Sequence, residues 1–224
     1  MIKTIVFDIG GVLLDWDPRY FYRDIFETEE EMEYFLGNIC TRDWNHTLDL
    51  GRPWEDAALE LVTKHPEFKE HIYMYWDRWL EMFSGPIHET VDILMDLKKR
   101  GLRVLALSNW NDEKFEVALR EFPFLRLFDG RIVSGEVKLA KPDPEIYKLL
   151  LSTFDLNPRE TFFMDDVMKN VEAARELGIE AVQFTTPKAL EDALTAYGVY
   201  PELDEQDEDE AQSGCGGNCT CHSR

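Results

Sequence analysis

Charged and polar side chains follow short apolar segments at four separate places in the chain. The segments are rich in Val, Ile, Leu and Phe, which is typical of buried strands. The side chains are those of Asp8, Ser108-Asn109, Lys141 and the pair Asp165-Asp166. In open α/β sheets, ligands bind beyond the carboxyl ends of the strands. A single carboxylate on a glycine-rich turn, as in Asp8-Ile9-Gly10-Gly11, is therefore a candidate nucleophile or metal ligand.

Each of these residues also has a purely structural explanation when it is considered alone. Asp8 could bond the backbone of an Asp-x-Gly turn, and Ser108-Asn109 could cap a helix. Lys141 before a proline could be a solvated loop residue, and Asp165-Asp166 could complement a helix dipole. A functional site is favoured only when the four positions are considered together, each at the end of a predicted strand.

The second half of the chain alternates between strand and helix patterns. Strands are predicted at 102–107, 130–133, 161–164 and 179–184, and helices at 88–100, 112–122, 144–154 and 167–177. Such alternation predicts right-handed βαβ crossovers and a parallel sheet, and therefore an α/β fold. The apolar strand at 2–7 has no antiparallel partner nearby, so we assign it to the same sheet.

The region from Pro18 to Pro86 has a different pattern. Apolar residues recur at spacings of three and four, which predicts helices at 19–26, 29–39, 53–64 and 68–83. No strand is predicted in this region. We therefore expect a small helical bundle, inserted between the first strand and the rest of the sheet.

Composition excludes several classes of partner. The 224 residues carry a formal net charge of -21, which disfavours binding to nucleic acid or to anionic membranes. No apolar run is long enough to span a membrane. Cysteines are not spread through the sequence as a disulfide framework would require, so we expect a cytoplasmic protein.

The last residues of the chain are acidic and then rich in Gly, Ser and Cys. This composition predicts disorder. Three thiols and an imidazole in this tail could bind a soft cation such as Zn²⁺, although their spacing is not that of a recognised zinc site. The alternative is a flexible, reducible tail. The residues concerned are Cys215, Cys219, Cys221 and His222.

Two longer motifs, together with Asp8 and Ser108, resemble those of the haloacid dehalogenase superfamily. They are Val133-Ser-Gly-Glu-Val-Lys-Leu-Ala-Lys-Pro-Asp-Pro-Glu-Ile-Tyr147 and Met164-Asp-Asp-Val-Met-Lys-Asn-Val-Glu-Ala-Ala-Arg175. The resemblance extends to about residue 200 and is closest to a subgroup of sugar-phosphate phosphatases. It implies a Rossmann-like three-layer parallel sheet core at 1–17 plus 88–200 and a type I helical cap at 18–87. The remaining 201–224 form the tail.

The resemblance also implies an activity: Mg²⁺-dependent hydrolysis of a small phosphorylated metabolite through an aspartyl-phosphate on Asp8. Catalytic roles then fall to Asp8, Ser108 and Lys141, and phosphate or substrate binding to Ser108, Asn109, Lys141, Trp110 and Arg19. Magnesium, which prefers oxygen ligands, would be held by Asp8, the carbonyl of Gly10, and Asp165 or Asp166. Neither the substrate nor the oligomeric state is predicted.

The chain departs from the family pattern at Gly10. Most phosphatases of the family carry a second Asp at this position, which protonates the leaving oxygen and later activates water. Another acid could substitute, and Asp15, Asp17 and His46 are candidates. Alternatively, the substrate could have a good leaving group.

Two other classes of function also remain open. One is a metal-independent 2-haloacid dehalogenase, whose leaving halide needs no proton. The pair Asp165-Asp166 argues against it, because three acids clustered without a cation would repel one another. The other is a catalytically weak family member that acts as a binding module.

Overall fold

The computed structural model describes residues 1–201 of the chain. The predictions made for the acidic tail, including its cysteines as metal ligands, fall on 202–224 and lie outside the described residues. Within residues 1–201, no helix is long and apolar enough to cross a membrane.

Five strands form a parallel sheet, and two further short strands pair with each other in an antiparallel ribbon. The strands are β1 (Thr4–Phe7), β2 (Leu14–Trp16), β3 (Phe83–Pro86), β4 (Arg103–Ser108), β5 (Gly130–Val133), β6 (Thr161–Asp165) and β7 (Glu180–Gln183). The order in the sheet is β5-β4-β1-β6-β7, which places β1 at the centre. In register, Phe7 lies between Ala106 of β4 and Met164 of β6, so these three strands end at one edge.

The α-helices of the described residues fall into two groups. Five lie in the insertion between β2 and β3: α1 (Arg19–Tyr22), α2 (Glu29–Asn38), α3 (Arg42–Asp49), α4 (Trp54–Lys64) and α5 (Lys69–Asp77). Six connect or follow the strands of the sheet: α6 (His88–Lys99), α7 (Asp112–Glu121), α8 (Ser134–Val137), α9 (Pro144–Thr153), α10 (Met168–Glu176) and α11 (Pro187–Ala196).

Helices cover both faces of the sheet. Side chains of a strand alternate between its two faces, and accordingly Ile5 and Phe7 belong to one apolar cluster while Val6 belongs to another. Helices α6 and α11 pack in the first cluster, and α9 and α10 pack in the second. This three-layer arrangement confirms the predicted α/β fold with its Rossmann-like parallel sheet.

The insertion is largely helical, but the prediction that it contains no strand was wrong. Strand β3 lies at the end of the predicted segment 18–87 and pairs with β2, with Leu14 opposite Pro86. Three or four residues with partly exposed side chains give too weak a periodicity for prediction, and the pairing depends on a partner about 70 positions away. The domain boundaries at 17/18 and 87/88 stay predictions.

Two predicted helices of the insertion are shorter in the structure. The segment 19–26 is helical only over Arg19–Tyr22, and 68–83 divides into Lys69–Asp77 and a 3₁₀ turn at Trp79–Met82. Helices α3 and α11 were not predicted. Both begin after a Thr whose side chain accepts a hydrogen bond from the helix backbone.

Candidate active site

The loop after β1 holds the Asp8 carboxylate at the carboxyl edge of the sheet. The backbone N–H of Asp8 donates to the carbonyl of Met164 (3.0 Å), which continues the pairing with β6. The chain then turns back at once, since the N–H groups of Leu13 and Leu14 both donate to the carbonyl of Ile9. The turn depends on Gly11, whose φ of 71° lies in the left-handed region.

The ammonium of Lys141 lies between the carboxylates of Asp8 and Asp165. Its side chain is 1% exposed, and its Nζ lies 2.8 Å from Asp8 Oδ1 and 2.6 Å from Asp165 Oδ2. A third hydrogen bond, of 2.8 Å, goes to the carbonyl of Leu107. An ammonium has three protons, so all of them are engaged by this buried arrangement.

Asn109 fixes the backbone of Lys141. The N–H of Lys141 donates to Asn109 Oδ1 (2.8 Å), and Asn109 Nδ2 donates to the carbonyl of Lys141 (2.9 Å). The side-chain amide of Asn109 thus aligns the lysine. Ser108, which is 2% exposed, precedes it at the end of β4, opposite Val133 of β5.

The two neighbouring aspartates differ in their surroundings. Asp165 is fully buried, and its Oδ1 accepts from the N–H of Val167 (2.9 Å) and from Asn170 Nδ2 (2.8 Å). Since its Oδ2 accepts from Lys141, both oxygens are already engaged. Asp166 is exposed, and its carboxylate lies against the turn at Gly11, where an added Cβ would come within 2.6 Å of Oδ2.

Three carboxylates converge at this edge of the sheet. Asp8, Asp165 and Asp166 each offer an oxygen, and these oxygens lie within 4.8 Å of one another. One ammonium, that of Lys141, faces them, so the ionised cluster carries a surplus of two negative charges. A divalent cation with oxygen ligands fits this arrangement of charge and donors.

The electrostatics of the cluster follow from burial. Burial raises the pKa of Asp8 to about 8, against the opposing effect of Lys141. Burial, and then the charge of Asp165, raises the pKa of Asp166. For Lys141, burial lowers the pKa, but the carboxylates of Asp8 and Asp165 outweigh it and the pKa rises. The lysine is therefore charged at neutral pH.

A cavity of about 210 Å³ separates this edge from the helical insertion. Asp8, Gly10, Ser108, Asn109 and Lys141 line its floor. Aromatic rings make up much of the remaining wall: Trp16, Tyr75, Trp76, Trp79, Phe83 and Trp110. The site is thus a concave, mainly apolar pocket with a few convergent polar groups, as small-molecule sites usually are.

Most residues predicted for the site meet here. Trp110 lines the cavity beside Asn109, while Asp165 and Asp166 lie next to Asp8. Arg19 is not among the lining residues; it forms ion pairs with Glu33 and Asp17. The predicted substrate role of Arg19 therefore finds no support in its position.

Two charged groups of the cavity wall, Asp49 of α3 and Lys114 of α7, were not predicted from the sequence. Lys114 Nζ donates to the carbonyl of Trp76 (2.7 Å) and lies 4.1 Å from the centre of that ring. A signal for Asp49 was present, because Asn45 and Asp49 stand four residues apart and so share a helix face. Because helix α3 itself was not predicted, this spacing was not interpreted as a shared helix face.

Comparison with known proteins gives a family match over most of the chain. A family model described as haloacid dehalogenase-like hydrolase matches residues 2–178. A phosphorylated carbohydrates phosphatase of Thermotoga maritima is 30% identical over 218 residues, covering 90% of this chain and 95% of its own. A (S)-2-haloacid dehalogenase of Pseudomonas sp. is 28% identical, covering 81% and 84%.

A solved structure shares both fold and sequence. It is a HAD family enzyme of Bacteroides thetaiotaomicron in complex with magnesium and inorganic phosphate. It is 26% identical to this chain, with a TM-score of 0.64, and the match covers 83% of this chain and 95% of the other.

Proposed function

Because the chain belongs to the haloacid dehalogenase-like hydrolase family, we propose that this hydrolase is a phosphatase of a small phosphorylated metabolite. The observation that carries the proposal is the contact of Asp8 with a buried Lys141 beside two further aspartates. Phosphoryl transfer needs a positioned nucleophile and positive charge to offset that of the phosphate oxygens. This cluster provides a nucleophile in Asp8, positive charge in the ammonium of Lys141, and carboxylate ligands for a metal ion.

Asp8 is the nucleophile in this proposal. Its Oδ1 accepts from the N–H of Ile9 (2.7 Å) and from Lys141, which leaves Oδ2 to attack phosphorus. The bond from phosphorus to the ester oxygen breaks, and an aspartyl-phosphate forms on Asp8. Attack of water then releases phosphate and restores the carboxylate. Ser108, which lines the cavity, binds a phosphate oxygen through its hydroxyl. The buried ammonium of Lys141 keeps its three hydrogen bonds within the protein and offsets the phosphate charge electrostatically.

Magnesium is the cofactor that suits this donor set. Asp8, the carbonyl of Gly10 and Asp166 would hold it, with Asp165 as the alternative to Asp166. Asp166 is the better candidate of the two, since Lys141, Val167 and Asn170 already donate to the oxygens of Asp165. When bound, the ion offsets the repulsion between the Asp8 carboxylate and the phosphate. Asp165 then orients Lys141 and Asn170, although it stays a candidate ligand through the proximity of its carboxylate.

The substrate is a small organic phosphate. The homologue from Thermotoga maritima, described as a phosphatase of phosphorylated carbohydrates, supports this class. The cavity volume of about 210 Å³ also supports a metabolite-sized ligand. We place the reaction in the cytoplasm, because the cysteines are not spread through the sequence as a disulfide framework would require.

A 2-haloacid dehalogenase is the second candidate, and the absence of an acid side chain at Gly10 favours it. A dehalogenase needs no proton donor for the leaving halide, and a dehalogenase is among the relatives. The cluster of three carboxylates disfavours it, because a metal-free site gains nothing from a surplus of negative charge.

One experiment separates these functions from a binding module. Purified protein is assayed with p-nitrophenyl phosphate in Mg²⁺ and in EDTA, and for halide release from 2-chloropropionate in EDTA. We expect magnesium-dependent phosphate release that is lost in Asp8→Asn and kept in Asp192→Asn, a surface control. Halide release without phosphatase activity would identify the dehalogenase, and neither activity would indicate a binding module.

A further inference from the structure

The position next to the nucleophile lacks the acid that an ester with a poor leaving group requires. Gly10 has open space where a side chain would begin, with no atom within 4 Å of an added Cβ. A proton donor for the leaving oxygen must therefore come from elsewhere on the cavity wall, on the side opposite Asp8.

The three substitutes considered from the sequence are poorly placed for this task. Asp15 Oδ2 accepts from the hydroxyls of Tyr20 (2.8 Å) and Ser84 (2.6 Å), and Asp17 is paired with Arg19. His46 is exposed. None of the three is among the residues that line the cavity.

Asp49, at the end of α3, is a carboxyl group that does line the cavity together with Asp8. Asn45 Nδ2 donates to Asp49 Oδ2 (3.0 Å), and the hydroxyl of Tyr75 donates to Asn45 Oδ1 (3.2 Å). This chain of hydrogen bonds orients the amide so that its N–H faces the carboxyl. Asp49 is half-buried.

The main chain of Asp49 is anchored to the sheet domain. Ser134 Oγ donates to the carbonyl of Asp49 (2.5 Å), and Asn111 Nδ2 donates to that of the preceding residue, Leu48 (3.0 Å). These two bonds fix the end of α3 against the sheet domain, where the Asp49 side chain lines the cavity that Asp8 also lines.

The surroundings of Asp49 favour its neutral form. Burial raises the pKa of the carboxyl to about 8, and the backbone N–H of Asn111 opposes this only in part. Helix α4 presents an apolar face to α3. Tyr75 of α5 and Lys114 of α7 line the same cavity. Glu136 lies on α8 and Lys138 follows it, and Ser134 of that helix bonds the Asp49 carbonyl. Lys138 bonds the carbonyl of Gly51, and Glu136 pairs with Arg131.

We propose that Asp49 is the general acid and base of the phosphatase reaction, contributed by the helical insertion. The inference rests on the proposed function. As Asp8 Oδ2 bonds to phosphorus, the electron pair of the breaking P–O bond goes to the leaving oxygen. That oxygen takes the proton of Asp49, which gives an alcohol and the Asp49 carboxylate. The carboxylate then removes a proton from water as the water oxygen attacks the aspartyl-phosphate, which returns Asp8 and Asp49 to their starting states.

The test compares two aryl phosphates on the full-length protein with Mg²⁺. Phenyl phosphate and p-nitrophenyl phosphate present similar rings to the aromatic wall, but phenolate is the poorer leaving group. In Asp49→Asn we expect kcat/KM for phenyl phosphate, which reports the step in which the ester bond breaks, to fall about 10²–10⁴-fold, the usual contribution of acid–base catalysis. The fall for p-nitrophenyl phosphate should be much smaller. Asp15→Asn is the matched control and should alter both esters equally little.

Two further measurements separate catalysis from structure. The basic limb of the wild-type pH profile, in kcat/KM for phenyl phosphate, should disappear in Asp49→Asn, and Asp49→Glu should recover part of the rate. An equal loss of kcat/KM for both esters, or an unchanged kcat/KM, would overturn the role of Asp49. Failure of the proposed function is distinguishable, because wild-type protein would then hydrolyse neither ester.

Discussion

Removing the ammonium of Lys141 should destabilise the protein far more than removing a surface lysine. The substitution Lys141→Met keeps the length of the side chain but leaves Asp8 and Asp165 buried without a counter-charge. Loss of one partner of a buried ion pair typically costs about 3–5 kcal/mol of unfolding free energy. With contacts of 2.8 and 2.6 Å and a side chain that is 1% exposed, we expect a loss within this range.

The chain offers a matched control for this substitution. Lys188 Nζ also lies 2.8 Å from a carboxylate, that of Asp192, but the two side chains are 67% and 64% exposed. Water screens such a pair, so Lys188→Met should leave the midpoint of unfolding nearly unchanged. Both variants are measured by urea unfolding followed by circular dichroism, at pH 7 and without metal.

A double variant and a magnesium titration test the same explanation of the loss in stability. Asp165→Asn combined with Lys141→Met should lose less stability than Lys141→Met alone, because one unpaired charge has gone. Mg²⁺ should raise the midpoint of Lys141→Met, since an ion that binds the native state stabilises it. An unfolding midpoint for Lys141→Met equal to that of Lys188→Met would refute the reasoning that the lysine balances buried charge.

Three further predictions concern the turn, the metal and pH. Gly11→Ala should weaken magnesium dependence of the phosphatase, because its Cβ would displace the Asp166 carboxylate, whereas Gly101→Ala, with a φ of 78° and open space around it, should show backbone strain alone. Asp166→Asn should raise the magnesium concentration for half-maximal activity, and an unchanged titration would move the ligand role to another residue. Burial raises the pKa of Asp49 from 3.8 to about 8, so the native state keeps a proton that the unfolded chain releases. Stability should therefore fall as pH rises from about 4 to about 8, by at most about 1.4 kcal/mol per pH unit, and a urea midpoint that falls as much in Asp49→Asn would contradict this.

The floor of the site was predictable because its geometry is a property of parallel strands. Apolar runs before Asp8, Ser108 and Asp165 identify strands, and parallel strands bring their carboxyl ends to one edge. The residues that directly follow such runs therefore lie close together, whatever the length and conformation of the loops after them. The convergence of Asp8 with Asp165 and Asp166 agrees with this argument. Lys141 is different, because it lies in the loop between α8 and α9 and not at the end of a strand.

The wall of the cavity was much less predictable. Asp49 reaches the cavity only because α3 packs against the segment after β4. The spacing of Asn45 and Asp49 indicates a shared helix face, but it does not indicate which distant segment that face meets. Arg19, in contrast, was predicted to bind substrate but does not line the cavity. Its guanidinium instead forms ion pairs with the nearby carboxylates of Asp17 and Glu33. Helices that pack on a sheet follow from local patterns, whereas contacts between an insertion and a sheet depend on the whole tertiary structure.

The ribbon of β2 and β3 has a consequence for how this protein can change over evolution. Leu14 and Pro86 are paired across it, and paired residues of antiparallel strands lie about 5 Å apart. The chain thus enters and leaves the helical insertion at almost the same point. Segments of different length can be exchanged there without moving Asp8 or Lys141, so selectivity can diverge while the nucleophile and its partners are inherited intact.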